Sequence, residues 1–361
     1  MKSETPTTVY ECERRAAACV ANPSRSARVR QLVAASGLIV LALITVGTAQ
    51  SAQSTQGRLL PRTDAEAHAS ESIMNDIKEK GYAVRELRDH LYWVTDGSYN
   101  TMFLVSTAGV IAIDPLPSLG KNYLRAIAET TDRPVTHVIY SHEHTDHIGA
   151  ANLFPATATY IAQQETAKIL ATRGDPRRPV PTVTFDKSYT LTLGDQTLQL
   201  DYPGVNHDAG NVFIYAPRQK VLMLVDVVYP GYLPYPNLGI AVDIPGYIDV
   251  HRRALEYHFD TLVAGHVDRV GTRADVELSL AFAEDLKATA IHQFAAVTFP
   301  GYLREHPGGS KWLLHDEYEK LLVDRCYAEL APRWGRRLIG PESALRSHCW
   351  TMIVALVVEF P

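Results

Sequence analysis

Three histidines and an aspartate crowd into six positions of this chain: His142, His144, Asp146 and His147, inside Ser141-His142-Glu143-His144-Thr145-Asp146-His147-Ile148-Gly149. Imidazole and carboxylate together suit zinc and similar divalent ions. The spacing matters as much as the composition. In extended backbone His142 and His144 point to the same side, and Asp146 and His147 follow as the chain turns into a helix. One short segment can therefore supply ligands to two adjacent ions. The alternative reading is an exposed polar loop whose histidines pair with nearby acids.

Three further candidates end apolar runs. His207 sits in Pro203-Gly204-Val205-Asn206-His207-Asp208-Ala209-Gly210-Asn211, a turn after a strand. Asp226 closes Val221-Leu222-Met223-Leu224-Val225, and His266 follows Leu262-Val263-Ala264 in Gly265-His266-Val267-Asp268. Active sites are commonly built where loops converge at strand ends. Each residue alone reads as structural; the three together, beside the first motif, read as a metal centre. Two divalent ions about 3.5–4 Å apart can share a hydroxide that is nucleophilic near neutral pH. No Ser–His–Asp or Cys–His nucleophile with a recognisable motif competes with that chemistry.

The elements that must position these residues fall into two β-rich blocks. Tyr82–Leu87, Leu91–Thr95, Thr101–Ser106 and Val110–Asp114 read as strands, with Asp96-Gly97 and Ala108-Gly109 as turns. A helix is expected over Ser118–Thr130, and a buried strand over Val135–Tyr140 leads into the histidine loop. Residues 147–172 read as helical, with a short strand near Thr157–Ile161. The second block comprises Thr182–Phe185, Tyr189–Leu193, Leu198–Tyr202, Val212–Ala216 and Val221–Val225. A helix over 246–258 and a strand over Thr261–Ala264 follow. This order fits two sheets packed face to face with helices outside. Residues 273–361 read as a helical extension packed on the core, and the closing run Thr351–Phe360 as a docked terminal element.

On these residues the chain resembles the metallo-β-lactamase superfamily, over roughly Tyr82 to Gly271. The resemblance implies an α/β fold, an αββα sandwich with the metals at one sheet edge, here followed by the C-terminal helical extension. It implies that His142, His144 and His207 hold one metal, that Asp146, His147 and His266 hold the second, and that Asp226 bridges them. Asp114 matches the family's early aspartate, which supports the site from behind; a simple strand-end turn residue is the other reading. Asp146 and Asp226 are the expected catalytic carboxylates. The cofactor expectation is two divalent ions, with zinc first. Zinc lactamases of the commonest type carry Cys where Asp226 stands. The oxygen ligand here is more like the lactonase, thioesterase and general hydrolase branches. Two-iron oxidoreductase members usually carry Glu where His144 stands, which disfavours that role, and no added nuclease module is present.

The expected function is an exported dinuclear metal hydrolase whose bridging hydroxide attacks a carbonyl ester, lactone, thioester or amide. The rivals are a phosphodiester or sulfate-ester hydrolase, a weak β-lactamase, and a non-catalytic metal-binding protein of the same fold. The expected partner is a small-molecule substrate. Tyr229, Tyr232 and Tyr235 lie in a Tyr-, Pro- and Gly-rich stretch after Asp226 and could wall a pocket or donate to an oxyanion, or simply pack a surface loop. His251 and His258, on a predicted helix, and His137, in a strand, read as packing or surface residues.

Bulk properties set the boundaries. At 361 residues the chain can bury a full core. A net charge of −5 gives no reason to expect nucleic acid or an anionic membrane surface. The N-terminal segment, 1–52, has the order of a secretory leader: Arg25, Arg28 and Arg30, an apolar run from Leu32 to Val46, then small residues. Cleavage is expected at Ala49-Gln50-Ser51 or Gly47-Thr48-Ala49, with a signal anchor as the alternative. Residues 53–81 read as a lead-in, and no stable membrane span is expected after cleavage. Of four cysteines only Cys326 and Cys349 would remain in the mature chain. A disulfide between them and a pair of buried thiols are both open.

Overall fold

A computed structural model describes residues 70–360. The expected leader, its cleavage site and residues 53–69 of the lead-in lie outside the described residues. The first sheet contains β1 (Ala83–Arg88), β2 (Leu91–Thr95), β3 (Asn100–Ser106), β4 (Gly109–Ile113), β5 (Val135–Ile139), β6 (Thr159–Gln163) and β7 (Val183–Phe185), in that spatial order. Its first four strands form an antiparallel meander, and β4 to β7 run parallel. The second sheet holds β8 (Ser188–Leu193), β9 (Gln196–Asp201), β10 (Phe213–Ala216), β11 (Val221–Leu224) and β12 (Thr261–Ala264). Only its β11–β12 pair is parallel.

Strand periodicity explains why the sheets meet face to face. Successive side chains point to opposite faces. Ile214, Ala216, Val221 and Met223 enter a core shared with Met102, Leu104, Ile111 and Ile113 of the first sheet. Phe213, Tyr215, Leu222 and Leu224 point the other way, into a core shared with C-terminal helices. The outer face of the first sheet presents Phe103, Val110, Ala112 and Val138 to a third core.

Helices cover both outer faces: α1 (Glu71–Lys80), α2 (Lys121–Thr130), the single turn α3 (Thr145–Ile148), α4 (Gln164–Arg173), α5 (Ile244–Ala254), α6 (Arg273–Ala296), α7 (Phe299–Glu305), α8 (Lys311–Trp334) and α9 (Glu342–Val358). The fold is the expected αββα sandwich, with the last four helices following the final strand. A capping box between Thr272 and Asp275 starts α6 where the sequence pattern turns helical. The closing apolar run is the second half of α9, whose Cys349, Met352, Ile353 and Leu356 are buried in the core on the second sheet. Cys326 of α8 and Cys349 of α9 are joined by a disulfide, with Cα atoms 6.0 Å apart. Among the described residues no helix is long and apolar enough to cross a membrane.

The structure corrects the expected elements in three places. Val183–Phe185 belongs to the first sheet, because α4 returns the chain to pair β7 parallel to β6. Residues 147–172 are helical on either side of a short strand, as expected, but the strand, β6, lies two residues later than Thr157–Ile161, and before it come only one turn, α3, and a short 3₁₀ segment. Helix α5 ends at Ala254, so His258 is exposed beyond it, whereas His251 is fully buried.

Candidate metal centre

The candidate residues meet at one edge of the sandwich, at the C-terminal ends of β5, β9, β11 and β12. After β5 the chain passes through Tyr140 and Ser141, and His144 then stands at the N-cap of α3 with extended backbone. This switch from extended to helical backbone lets one segment deliver His142 and His144 on one side and Asp146 and His147 on the other. Asp226 follows β11 with φ of 62°, a left-handed backbone that Asp tolerates better than most residues. Gly265, just before His266, permits the close approach of β12. A Cβ there would lie 2.5 Å from Asp226 Oδ1 and 2.9 Å from His147 Cε1.

Two donor groups result, each with its ligand atoms within 4.8 Å of one another: His142, His144, His207 and Asp226; and Asp146, His147, Asp226 and His266. Asp226 is common to both. Its Oδ2 lies 3.0 Å from His147 Nε2, 3.3 Å from His207 Nε2 and 3.7 Å from His142 Nε2. Its Oδ1 lies 3.1 Å from His266 Nε2. Asp146 Oδ2 is 3.5 Å from His147 Nε2 and 3.8 Å from His266 Nε2. All seven expected ligands are therefore brought together.

The site fits a cation on its own chemistry. His142 Nε2 is buried and finds no hydrogen-bond partner, while Ser141 Oγ, 2.9 Å from Nδ1, occupies the other nitrogen. An orphaned buried nitrogen costs about 1–3 kcal/mol unless something binds it. Burial, and then His144, His147 and His207, push His142 well below the usual imidazole range, so its lone pair is free. Burial likewise lowers His207 to about 4, against the pull of Asp226. Burial alone would raise Asp226, yet His147 and His266 hold its carboxyl well below the usual carboxylate range. Burial opposes charge on His147, but Asp226, Asp146 and Asp114 outweigh it and push the ring up to about 9. The result is a convergent set of imidazoles and carboxylates in which the carboxylates already draw positive charge onto His147, a charge that a divalent cation would supply in its place.

Asp114 lies behind this cluster, fully buried, and its Oδ1 accepts a hydrogen bond from the Ser141 amide at 2.7 Å. Burial raises its carboxyl to about 6, with His147 and the Ser141 hydrogen bonds pulling the other way. The three expected pocket tyrosines separate. Tyr229 is buried and stacks on His266 at 5.7 Å between ring centres. Tyr235 is 63% exposed at the rim. Tyr232 pairs its backbone with Ile339, and its hydroxyl feels Asp268 and Arg269.

Several contributors escape sequence reasoning. Tyr99 packs its ring 4.6 Å from His266 and 5.9 Å from His147. Asn100 holds the His266 loop: its Nδ2 donates to the carbonyls of His266 and Val267 at 2.9 and 2.8 Å, and its amide donates to Gly265. Glu143, inside the histidine motif, is a buried anion paired with Arg173 and with Arg178, whose guanidinium also donates to the Glu143 carbonyl. The second nitrogen of His144 faces Asp208 at 3.7 Å and Glu143 at 3.9 Å. These partners are tens to well over a hundred positions apart in most cases, and no local pattern announces them. Only Glu143 carried a signal, as an acid between two histidines.

Comparison with known proteins agrees with the geometry. Residues 94–266 match the family described as the metallo-beta-lactamase superfamily. The chain is 31% identical over 261 residues to 2,4-dinitroanisole O-demethylase subunit alpha of Nocardioides sp. (strain JS1661), covering 68% of this chain and 78% of that one. It is 30% identical over 153 residues to metallo-beta-lactamase type 2 of Elizabethkingia meningoseptica, covering 39% of this chain and 59% of that protein. A solved metallo-beta-lactamase from Pontibacter korlensis shares the fold at a TM-score of 0.50 and 21% identity, covering 56% of this chain and 99% of that one. The chain belongs to the metallo-β-lactamase superfamily of metal-dependent hydrolases.

Proposed function

We propose that the protein is a dinuclear zinc hydrolase acting on a neutral carbonyl ester, lactone or thioester that carries an apolar group. The observation that carries this reading is the sharing of Asp226 by two complete donor groups. His142, His144 and His207 would hold one ion and Asp146, His147 and His266 the other. Bound divalent ions supply Lewis acidity and acidify an attacking water to near neutrality.

The chain's own residues supply the rest. Asp146 has a side chain 45% exposed, against 5% for Asp226, so it is the carboxylate that reaches the open side. It can hold a proton as the leaving group departs. Asp226, sealed behind it, keeps its charge and fixes the spacing of the two donor groups. Tyr229, stacked on His266, stays protonated because burial and Asp226 push its hydroxyl well above the usual range; it can donate to a substrate oxygen. We read the rim as largely apolar, because Val205, Tyr235, Ile240 and Val242 are exposed large side chains on the loops carrying His207 and Asp226. The Val242 amide donates to the Asn206 and His207 carbonyls at 3.2 Å, which ties these two loops together. Such a rim favours a neutral, hydrophobic substrate over a phosphodiester or sulfate ester.

Export is part of the proposal. The leader-like order of residues 1–52 and the Cys326–Cys349 disulfide both suit an oxidising compartment.

The test is a chain purified from about Gln53, assayed for bound metal and for hydrolysis of aryl esters, lactones, thioesters, a phosphodiester, a sulfate ester and a β-lactam. The relative from Nocardioides is named for O-demethylation of 2,4-dinitroanisole, so that ether joins the panel. Two zinc equivalents with chelator-sensitive turnover of the neutral esters, lost in His142→Ala, is the expected result. Full turnover and metal content in His142→Ala would overturn the assignment, and turnover confined to the anionic substrates would overturn the substrate class.

A further inference from the structure

The loop after Asp226 contains a run of backbone that L-residues avoid. Asn237, Leu238, Gly239 and Ile240 have φ of 59°, 55°, 69° and 53°. Together they form one left-handed helical turn, closed by a hydrogen bond from the Gly239 amide to the Tyr235 carbonyl at 2.7 Å. Left-handed helical backbone costs about 1–2 kcal/mol for each residue bearing a Cβ, and persists only where its surroundings over-determine it. Three such residues within four positions, Asn237, Leu238 and Ile240, therefore require an anchor.

The anchor is α9. The Asn237 amide donates to Ser347 Oγ at 2.9 Å, the Leu238 amide donates to His348 Nδ1 at 3.1 Å, and Thr351 Oγ1 donates to Asn237 Oδ1 at 3.3 Å. Leu238 and His348 are both fully buried. Burial lowers His348 to about 3, against the pull of the Pro234 carbonyl, so the ring is neutral and its Nδ1 can accept. The adjacent Cys349 ties α9 to α8 through the disulfide, so the anchor is itself fixed. On its other side the turn abuts the metal centre. A Cβ on Gly239 would stand 2.9 Å from the Asp226 carbonyl oxygen and 3.2 Å from the Tyr229 hydroxyl.

We propose that His348 is a positioning residue for the metal centre: from α9 it pins the left-handed turn 237–240 against Asp226 and Tyr229, and so sets the donor that both metal groups share. This gives the C-terminal helices a task at the site although none of them carries a ligand. It rests on the reading of Asp226 as a metal ligand.

The test compares His348→Leu, which removes the acceptor, with His348→Asn, whose side-chain oxygen can stand in for Nδ1. Two readouts are taken on the full chain: amide hydrogen exchange of the peptide covering 235–242, and zinc affinity by chelator competition together with the visible spectrum of the cobalt-substituted protein. His348→Leu is expected to speed exchange at least tenfold, to weaken zinc about tenfold and to shift the cobalt bands, as loss of a ligand-orienting partner does. His348→Asn should restore all three. Should His348→Leu fail to fold, Ser347→Ala, on the partly exposed side of the same contact, should speed exchange and weaken zinc in the same direction. Unchanged exchange, or faster exchange with unaltered zinc affinity and spectrum, would overturn the proposal. A wild-type chain that binds no zinc while its turn remains protected would overturn the ligand reading instead, and this proposal with it.

Discussion

His144 Nδ1 and His207 Nε2 face each other at 3.2 Å, although 63 positions separate the two residues in sequence. Two neutral imidazole nitrogens at that distance repel unless a proton or a cation lies between their lone pairs. A shared proton or a bound cation would satisfy both nitrogens, and Asp226 supplies the neighbouring negative charge that favours the cation. His207→Ala should therefore lose one of two bound ions, and Asp226→Ala should lose both, because only Asp226 belongs to both groups. Metal content after exhaustive dialysis checks this; equal losses in the two variants would refute the shared role of Asp226.

Asp114 touches no other candidate ligand by hydrogen bond but accepts from the amide that precedes His142. Asp114→Ala leaves that buried amide unsatisfied, a cost of about 1–3 kcal/mol in unfolding free energy. The same change should weaken zinc by about ten- to a hundredfold, since the Ser141–His142 backbone loses its fixed orientation. Urea unfolding and chelator competition measure the two effects separately. Loss of stability with unchanged affinity would make Asp114 a strand-end residue only.

His251, which is not among the candidate ligands, gives a pH dependence of stability. Its ring is fully buried on α5, with Nδ1 at the Tyr247 carbonyl and Nε2 2.9 Å from Ser279 Oγ. Burial lowers it to about 4 from the ordinary 6.5. The unfolded chain therefore binds a proton between those values while the folded chain does not. Above pH 6.5 the full stability is present, and it declines as pH falls toward 4, by up to about 3 kcal/mol from this group. Denaturant unfolding at pH 7 and pH 5 should show a smaller difference in His251→Gln than in the wild type; equal differences would exclude His251 as a source.

The disulfide closes a loop between residues 23 apart and ties α8 to α9. Replacing both cysteines by alanine should cost about 2–4 kcal/mol. The melting temperature of the double variant, compared with the wild type under oxidising conditions, reads this directly. If the anchor role of α9 holds, zinc affinity falls in the same variant.

Ile240 offers a test in the opposite direction. It is left-handed and half exposed, so its side chain contributes strain and little packing. Ile240→Gly should leave stability unchanged or raise it by up to about 1 kcal/mol, although glycine also loosens the unfolded chain. Thermal unfolding decides; a loss of several kcal/mol would mean that the side chain is a packing element.

The sequence by itself determined the ligand chemistry and the strands that present it. His142, His144, Asp146 and His147 are close in the chain, so their spacing and the change from extended to helical backbone are local properties. The unbroken apolar run Val221–Leu224 likewise announces a strand buried on both faces, and hence a sheet between two layers. What lies between distant segments was decided only by tertiary structure. Whether Val183–Phe185 joined the first or the second sheet depended on the return path of α4, which periodicity does not encode. Cys326 and Cys349 could equally have stayed apart until α8 packed on α9. Asn100 under the His266 loop and His348 beneath the turn at Leu238 act across 166 and 110 positions. Their residue types carry no signal of that role, because a hydrogen bond between remote segments has no periodicity and no local propensity. It exists only once the core has brought its two ends together.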